Sequence, residues 1–172
     1  SAQGGAIRVN QADHVFIAGD IDDSDRDFML LKYEPNGTNI WGSHKAYDLG
    51  GDEYCRDMAV DLISDCYLAG YQETGSGNQY VTVVKTDSSG DMLWAWIDSL
   101  ETNRVIEAIE IDDEGYFYLA GSHHNGDDWD MLVMKLRQPL AITGRVTDST
   151  GAGMGNVTVT ITGDSIFEVF TD

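Results

Sequence analysis

The sequence predicts an all-β protein: three four-stranded, propeller-like blades, the third incomplete, followed by a partial β-sandwich. Three observations predict it. A short phrase recurs, VFIAG ending at Gly19, CYLAG at Gly70 and YFYLAG at Gly121, with the glycines 51 residues apart both times. Apolar side chains before each copy alternate with a period of two, the period of a strand. No segment carries a helical period. A unit of four strands recurring at this length is the signature of a propeller blade.

Each unit opens on a strand: residues 6–10, 57–61 and 108–112, with alternating Ile7 and Val9, Met58 and Val60, Ile109 and Ile111. A tight connection follows, Gln-Ala-Asp, Leu-Ile-Ser and Asp-Glu-Gly, each preceded by Asn or Asp, which favour turns by bonding their own backbone. The second strand ends in Ala-Gly. After a variable loop come DFMLLK, YVTVVK and DMLVMK, ending at Lys32, Lys85 and Lys135. These third strands are nearly continuous apolar runs, as expected of strands covered on both faces. Asn36-Gly37 marks a hairpin, and Trp41 and Trp94 are placed in fourth strands. The blades run over about 5–50, 51–101 and 102–137, and the third lacks its tryptophan strand.

The pattern V-D-x-x-G-x-x-Y-L-A-G, then D-x-L-V-x-K-x-x-x-x-G-x-x-x-W, resembles the SBBP family of bacterial β-propeller repeats. Asp112, Gly115, Tyr118, Leu119, Ala120 and Gly121 carry its first half; Lys85, Gly90 and Trp94 carry its second. Gly50-Gly51 fits that family's blade junction. The resemblance implies a secreted or surface-exposed bacterial protein and no enzyme activity. Three units are fewer than the four to eight blades usual in a closed propeller.

Residues 139–172 change character. Val157, Val159 and Ile161 alternate with threonines, a half-buried strand, after the glycine-rich loop STGAGMGN. The stretch I-T-G-R-V-T-D … N-V-T-V-T-I-T-G … T-D is similar to carboxypeptidase regulatory-like domains, which implies a small sandwich of which about half is present.

Thirty acidic residues against ten basic ones give a net charge of −20 over 172 residues. That field repels phosphate backbones and anionic membranes, so nucleic acid is excluded as a partner. No apolar run approaches the roughly 18 residues that span a bilayer, so membrane insertion is not expected. No signal peptide is read, and the chain opens on Ser-Ala-Gln-Gly-Gly inside the first unit, as a mature or excised piece would. With two cysteines, Cys55 and Cys66, a disulfide-dense scaffold is excluded. Cys66 stands where the other units have Val15 and Phe117, the place of a small core residue; a bridge to Cys55 is the alternative.

Chemistry, if any, belongs to the loops after each Ala-Gly, which vary while the strands repeat. A four-strand meander puts them on one rim with the junctions between units. Residues 20–27, 71–79, 122–130, 45–56 and 98–106 carry −4, −1, −3, −1 and −1, a total of −10 on this rim. Asp23, Asp25 and Asp27 offer hard oxygen ligands to Ca²⁺. An EF-hand needs Gly at its sixth position, where Phe28 stands, so any calcium site is a looser one. His123 and His124, beside Asp127, Asp128 and Asp130, could ligate zinc from a loop, and Trp129 in that loop is a candidate for exposed recognition. The repeated lysines read as structural, each bonding carbonyls or an Asp of its own unit. No nucleophile elbow or phosphate-cradling loop is present, and carboxylate pairs are too abundant to mark a hydrolase.

A stack of three sheets leaves one uncovered face at each end. Five or six large apolar side chains per face, at about 1.5–3 kcal/mol each, come to on the order of 10 kcal/mol. That rivals the whole net stability of a domain, about 5–15 kcal/mol. The covering partner is the rest of a longer chain or other copies, as a ring or a filament, and the partial sandwich could accept a neighbour's strand. The expected function is a non-catalytic structural or binding module at a bacterial cell surface, with a surface glycan or protein as a possible ligand. The alternatives are an accessory segment of a larger secreted hydrolase and a calcium-dependent adhesin.

Overall fold

The computed structural model describes residues 1–22, 24–98 and 103–137, and the backbone of 158–161 and 167–170. Its strands are β1 (Ala2–Val9), β2 (Val15–Asp22), β3 (Arg26–Tyr33), β4 (Lys45–Tyr47), β5 (Asp52–Val60), β6 (Cys66–Glu73), β7 (Gln79–Thr86), β8 (Met92–Ile97), β9 (Arg104–Ile111), β10 (Tyr116–His124), β11 (Trp129–Arg137), β12 (Thr158–Ile161) and β13 (Phe167–Phe170). The protein is all-β. Consecutive antiparallel strands form sheets β1–β4, β5–β8 and β9–β11, and β12 pairs with β13. The chain divides into Ser1–Gln138 and Pro139–Asp172. No helix among the described residues is long and apolar enough to cross a membrane.

The first hairpin of each sheet is built by one acidic or amide side chain. Asn10 Oδ1 accepts the N–H groups of Ala12 and His14; Asp61 Oδ1 accepts those of Ile63 and Asp65; Asp112 Oδ1 accepts those of Glu114 and Tyr116. Satisfying two turn donors with one oxygen is what makes Asn and Asp favourable here. The last turn residue takes left-handed φ in all three: 59° at Asp13, 71° at Ser64 and 82° at Gly115.

The Ala-Gly phrase answers to a bulge in the strand beside it. The pairing of β1 with β2 slips between Gly4 and Ala6, that of β5 with β6 between Cys55 and Asp57, and that of β9 with β10 opposite Ala120 and Gly121. A bulge pushes a carbonyl toward the partner strand. A Cβ on Gly19, Gly70 or Gly121 would collide with the carbonyl oxygen of Gln3, Tyr54 or Val105 respectively. Positions 51 apart thus solve the same steric problem. The bulge also explains why the first strands begin earlier than alternation predicts. At Gly5, Arg56 and Glu107 the side-chain phase resets, so residues 52–56 and 104–107 do not continue the pattern that follows them.

The sheets of the first unit stack face to face. Phe16, Ala18, Phe28, Leu30 and Tyr47 of the first sheet pack on Cys55, Met58, Cys66, Leu68 and Val84 of the second. Ala59, Tyr67, Ala69, Val81 and Val83, from the other side of the second sheet, pack on Ile106, Ile109, Phe117 and Leu119 of the third. The middle sheet is therefore covered on both faces, and Val81, Thr82, Val83 and Val84 in β7 are all fully buried. In β11 burial alternates instead, because one face of the third sheet is open.

The lysines that close the third strands stack on aromatic rings directly across the ladder. Phe16 faces Lys32, Tyr67 faces Lys85 and Tyr118 faces Lys135, with ammonium-to-ring distances of 5.1, 4.9 and 5.0 Å. Lys85 also pairs with Asp65 of its own sheet at 3.0 Å, whereas Lys32 donates to the Ser88 carbonyl of the next sheet at 2.8 Å.

One placement differs from the sequence reading, and the cysteines keep to it. Trp94 lies in β8 as expected, but Trp41 stands before the short β4 and lays its ring on Gly90 of the next sheet. Cys55 and Cys66 are both free, buried thiols of one cluster rather than a bridge. In the second unit the hairpin runs from Thr158 opposite Phe170 to Ile161 opposite Phe167, close to the predicted strand. The glycine-rich loop before it lies outside the described residues.

Candidate functional site

The loops that follow β2, β6 and β10 share one rim with the junctions between sheets. Arg26 N–H donates to Asp52 Oδ1 at 3.1 Å, and His124 N–H donates to the Asn103 carbonyl at 2.9 Å. Three arginines sit on this rim and each is engaged there. Arg26 pairs with Asp20 at 2.8 Å, Arg104 pairs with Asp98 at 2.7 Å, and Arg56 donates to the Tyr71 hydroxyl at 3.0 Å. Tyr54 and Tyr71 stack at 4.8 Å, with Arg26 over the first ring and Arg56 over the second.

Asp25 and Asp27 come together with Asp48, with one ligand oxygen from each within 4.8 Å of the others. Asp48 arrives from the junction after β4, so the grouping depends on the rim fold and not on the local D-x-D spacing. Asp23, the third predicted ligand, lies outside the described residues. Three monodentate carboxylates are a hard-oxygen set suited to Ca²⁺, which takes six to eight oxygens. Backbone carbonyls and water would have to supply the rest.

Beside this cluster lies Glu53, fully buried. Its carboxylate accepts Gln72 Nε2 at 2.8 Å and, over longer distances of 3.2 and 3.4 Å, the N–H groups of Gly51 and Leu49. Burial outweighs those donors, and Asp27 adds repulsion, so the carboxyl is pushed up to about 7. Sequence patterning could not single out Glu53 among thirty acids.

His123 and His124, expected on a loop as zinc ligands, lie in a strand instead. Both belong to β10, where successive side chains take opposite faces. Among the described residues, the one gathered group of three metal-type ligands is Asp25, Asp27 and Asp48. Trp129 is the first residue of β11 and not a loop residue; it is 53% exposed and meets His124 edge-to-face at 5.2 Å. In the turn between them, Asn125 Oδ1 accepts the N–H groups of Asp127 and Asp128, and Asn125 Nδ2 donates to Asp130. Asp127 and Trp129 thus sit on an exposed, internally bonded hairpin tip.

The second candidate site is the pair of outer sheet faces. The first sheet's outer side carries the rows Val9–Val15–Tyr33 and Ile7–Ile17–Leu31, with Ile7 60% exposed and Val9 59% exposed. The third sheet's outer side carries Ala108–Ala120–Val133 and Val105–Ser122–Met131, with Met131 87% exposed and Val133 66% exposed. Exposed apolar rows of this kind are uncommon on monomers; on the third sheet they are flanked by the polar row Glu110–Tyr118–Lys135.

Comparison with protein-family models finds no match, and comparison with the curated proteins finds none.

Proposed function

We propose that the chain is a non-catalytic structural or binding module, secreted to a bacterial cell surface, that assembles through the open faces of its outer sheets. The observation that carries this reading is the contrast between a middle sheet covered on both sides and outer sheets that each present apolar rows to solvent. The likeness to SBBP-type repeats supports the extracellular setting. The rim supports the non-catalytic part: its arginines, tyrosines and Glu53 are engaged in structural bonds. Light scattering tests the reading. It expects masses above the 18.9 kDa of one chain at tens of micromolar concentration, or binding of a hydrophobic dye by the single chain. A solitary particle that binds no dye overturns it, as does hydrolase activity lost on replacing rim carboxylates.

The convergence of Asp25, Asp27 and Asp48 favours a second reading, a calcium-stabilised rim. With a Kd of about 1 mM, 10 mM Ca²⁺ would stabilise the fold by about 1.4 kcal/mol. The melting temperature should rise with Ca²⁺ beyond the effect of NaCl at equal ionic strength, and Asp48→Asn should remove the difference.

A further inference from the structure

We infer that the two open faces are complementary halves of one interface, so that copies of this chain join head to tail, the third sheet of one on the first sheet of the next. The inference rests on the open-face reading above and names the partner: a second copy.

The chain contains two finished examples of the joint. Each internal interface sets the same kind of face against the same kind of opposite face. On the leading face, Ala18 lies opposite Leu30 in the first sheet and Ala69 opposite Val83 in the second, and all four are fully buried by the sheet that follows. The corresponding pair in the third sheet is Ala120 opposite Val133, and there Val133 is 66% exposed. On the receiving face, Met58 and Ile109 stand 51 residues apart and are 0% and 3% exposed. The residue 51 before Met58 is Ile7, which is 60% exposed. Among the described residues, therefore, no leading face lies against the outer side of the first sheet and no receiving face lies against the outer side of the third. A second copy supplies both, in the arrangement used twice within the chain, with three described strands of the third sheet standing where the internal joints use four.

The chemistry of the faces agrees with this pairing. A leading face offers an alanine beside a branched side chain, a shallow surface that the apolar rows of a receiving face can approach at the usual sheet spacing of about 10 Å. The joint is heterologous: the surfaces that meet are different, so neither face pairs with itself, and repetition closes a ring or extends a filament. A net charge of −20 per chain opposes approach, so association should strengthen with salt.

Sedimentation of the full chain and two variants in about 1 M NaCl, where the Debye length is about 3 Å, tests the inference. Val133→Asp blocks the leading face and Ile7→Asp the receiving face; both positions are exposed, so melting curves should show both variants folded. Met131→Lys serves as a second leading-face variant. The wild type should form species that grow with concentration, and each variant alone should stay a single chain. An equimolar mixture of Val133→Asp and Ile7→Asp should give a one-to-one dimer that grows no further, at least tenfold enriched over either variant alone. If the wild type assembles but the mixture gives no dimer, or either variant still assembles alone, head-to-tail joining is wrong while the open-face reading stands. A wild type that remains a single chain throughout overturns the joining of copies, and dye binding then decides the open-face reading by itself.

Discussion

Arg8 of the first sheet and Asp57 of the second meet at 2.7 Å, and the other oxygen of Asp57 accepts the backbone N–H of Ile109 in the third sheet at 3.0 Å. One carboxylate thus ties three sheets together at the bulge of β5. The two bonds are unequal. Arg8 is 38% exposed, so its ion pair is screened and contributes at most about 1 kcal/mol. Ile109 is 3% exposed, and its N–H left without an acceptor would cost about 1–3 kcal/mol. Asp57→Ala should therefore destabilise by about 2 kcal/mol, whereas Arg8→Ala should cost under 1 kcal/mol and Asp57→Asn should fall between. Urea denaturation of the three variants checks this ordering; equal losses for Asp57→Ala and Arg8→Ala would refute it.

Gly70 separates a steric requirement from a compositional habit. Its Cβ would strike the Tyr54 carbonyl oxygen, and the middle sheet cannot shift because both faces are packed. Gly70→Ala should cost about 3 kcal/mol, near the upper end for forced overpacking. Gly75 has nothing within 4 Å of its would-be Cβ, so Gly75→Ala should be neutral or slightly stabilising. Parallel denaturation curves for the two variants decide the point. A mild Gly70→Ala would mean that the bulge relaxes, and the steric account of the recurring glycine would fail.

Where the units share a left-handed turn residue, two of them hold it at a disadvantage. Asp13 has φ 59° where the third unit has Gly115 at 82°. A left-handed side-chain residue costs about 1–2 kcal/mol, partly offset by the extra entropy that glycine loses on folding. Asp13→Gly should thus stabilise by roughly 0.5 kcal/mol, and Gly115→Asp should destabilise. Ser64→Gly should gain less, because Ser64 Oγ accepts Asn10 Nδ2 at 2.8 Å, a bond between the first two sheets. Melting temperatures of the three variants rank them, and a destabilised Asp13→Gly would contradict the account.

The strands were legible because period two survives wherever one face is buried. Ile7 and Val9, Met58 and Val60, Ile109 and Ile111 all lie in first strands. What was lost was lost for local reasons. The bulges at Gly5, Arg56 and Glu107 break the alternation, so the earlier part of each first strand was silent. Trp41, nine residues after Lys32, is expected in a fourth strand, but its ring lies on Gly90 of the next sheet, a contact no spacing encodes. Adjacency in sequence suggests a ligand pair at His123 and His124 only if they stand on a loop; in a strand, adjacent side chains diverge. Asp48 is hidden by chain separation: about twenty residues part it from Asp27, and only the shared rim brings the three carboxylates together.

Glu53 makes the stability of the fold depend on pH in a direction opposite to that of most carboxylates. In the folded chain its carboxyl is raised to about 7 from an ordinary value of 4.5, because burial penalises the charged form and Asp27 repels it. The folded state therefore binds the proton more tightly than the unfolded state between these limits. Below about pH 4.5 both states are protonated and there is no penalty. As pH rises from 4.5 to 7 the unfolded chain releases the proton more readily, and stability falls; above 7 the full penalty is in place. At about 1.4 kcal/mol per unit of pKa, the penalty reaches up to about 3 kcal/mol. Glu53→Gln keeps the side chain's length and an oxygen acceptor but cannot ionise. The difference in unfolding free energy between Glu53→Gln and the wild type should be small at pH 4.5 and should grow in favour of the variant up to pH 7–8. Taking the difference cancels the titration of the other acids common to both chains. Two curves that stay parallel from pH 4.5 to 8 would show that Glu53 is already charged in the folded protein, with the donors from Gln72, Gly51 and Leu49 outweighing its burial.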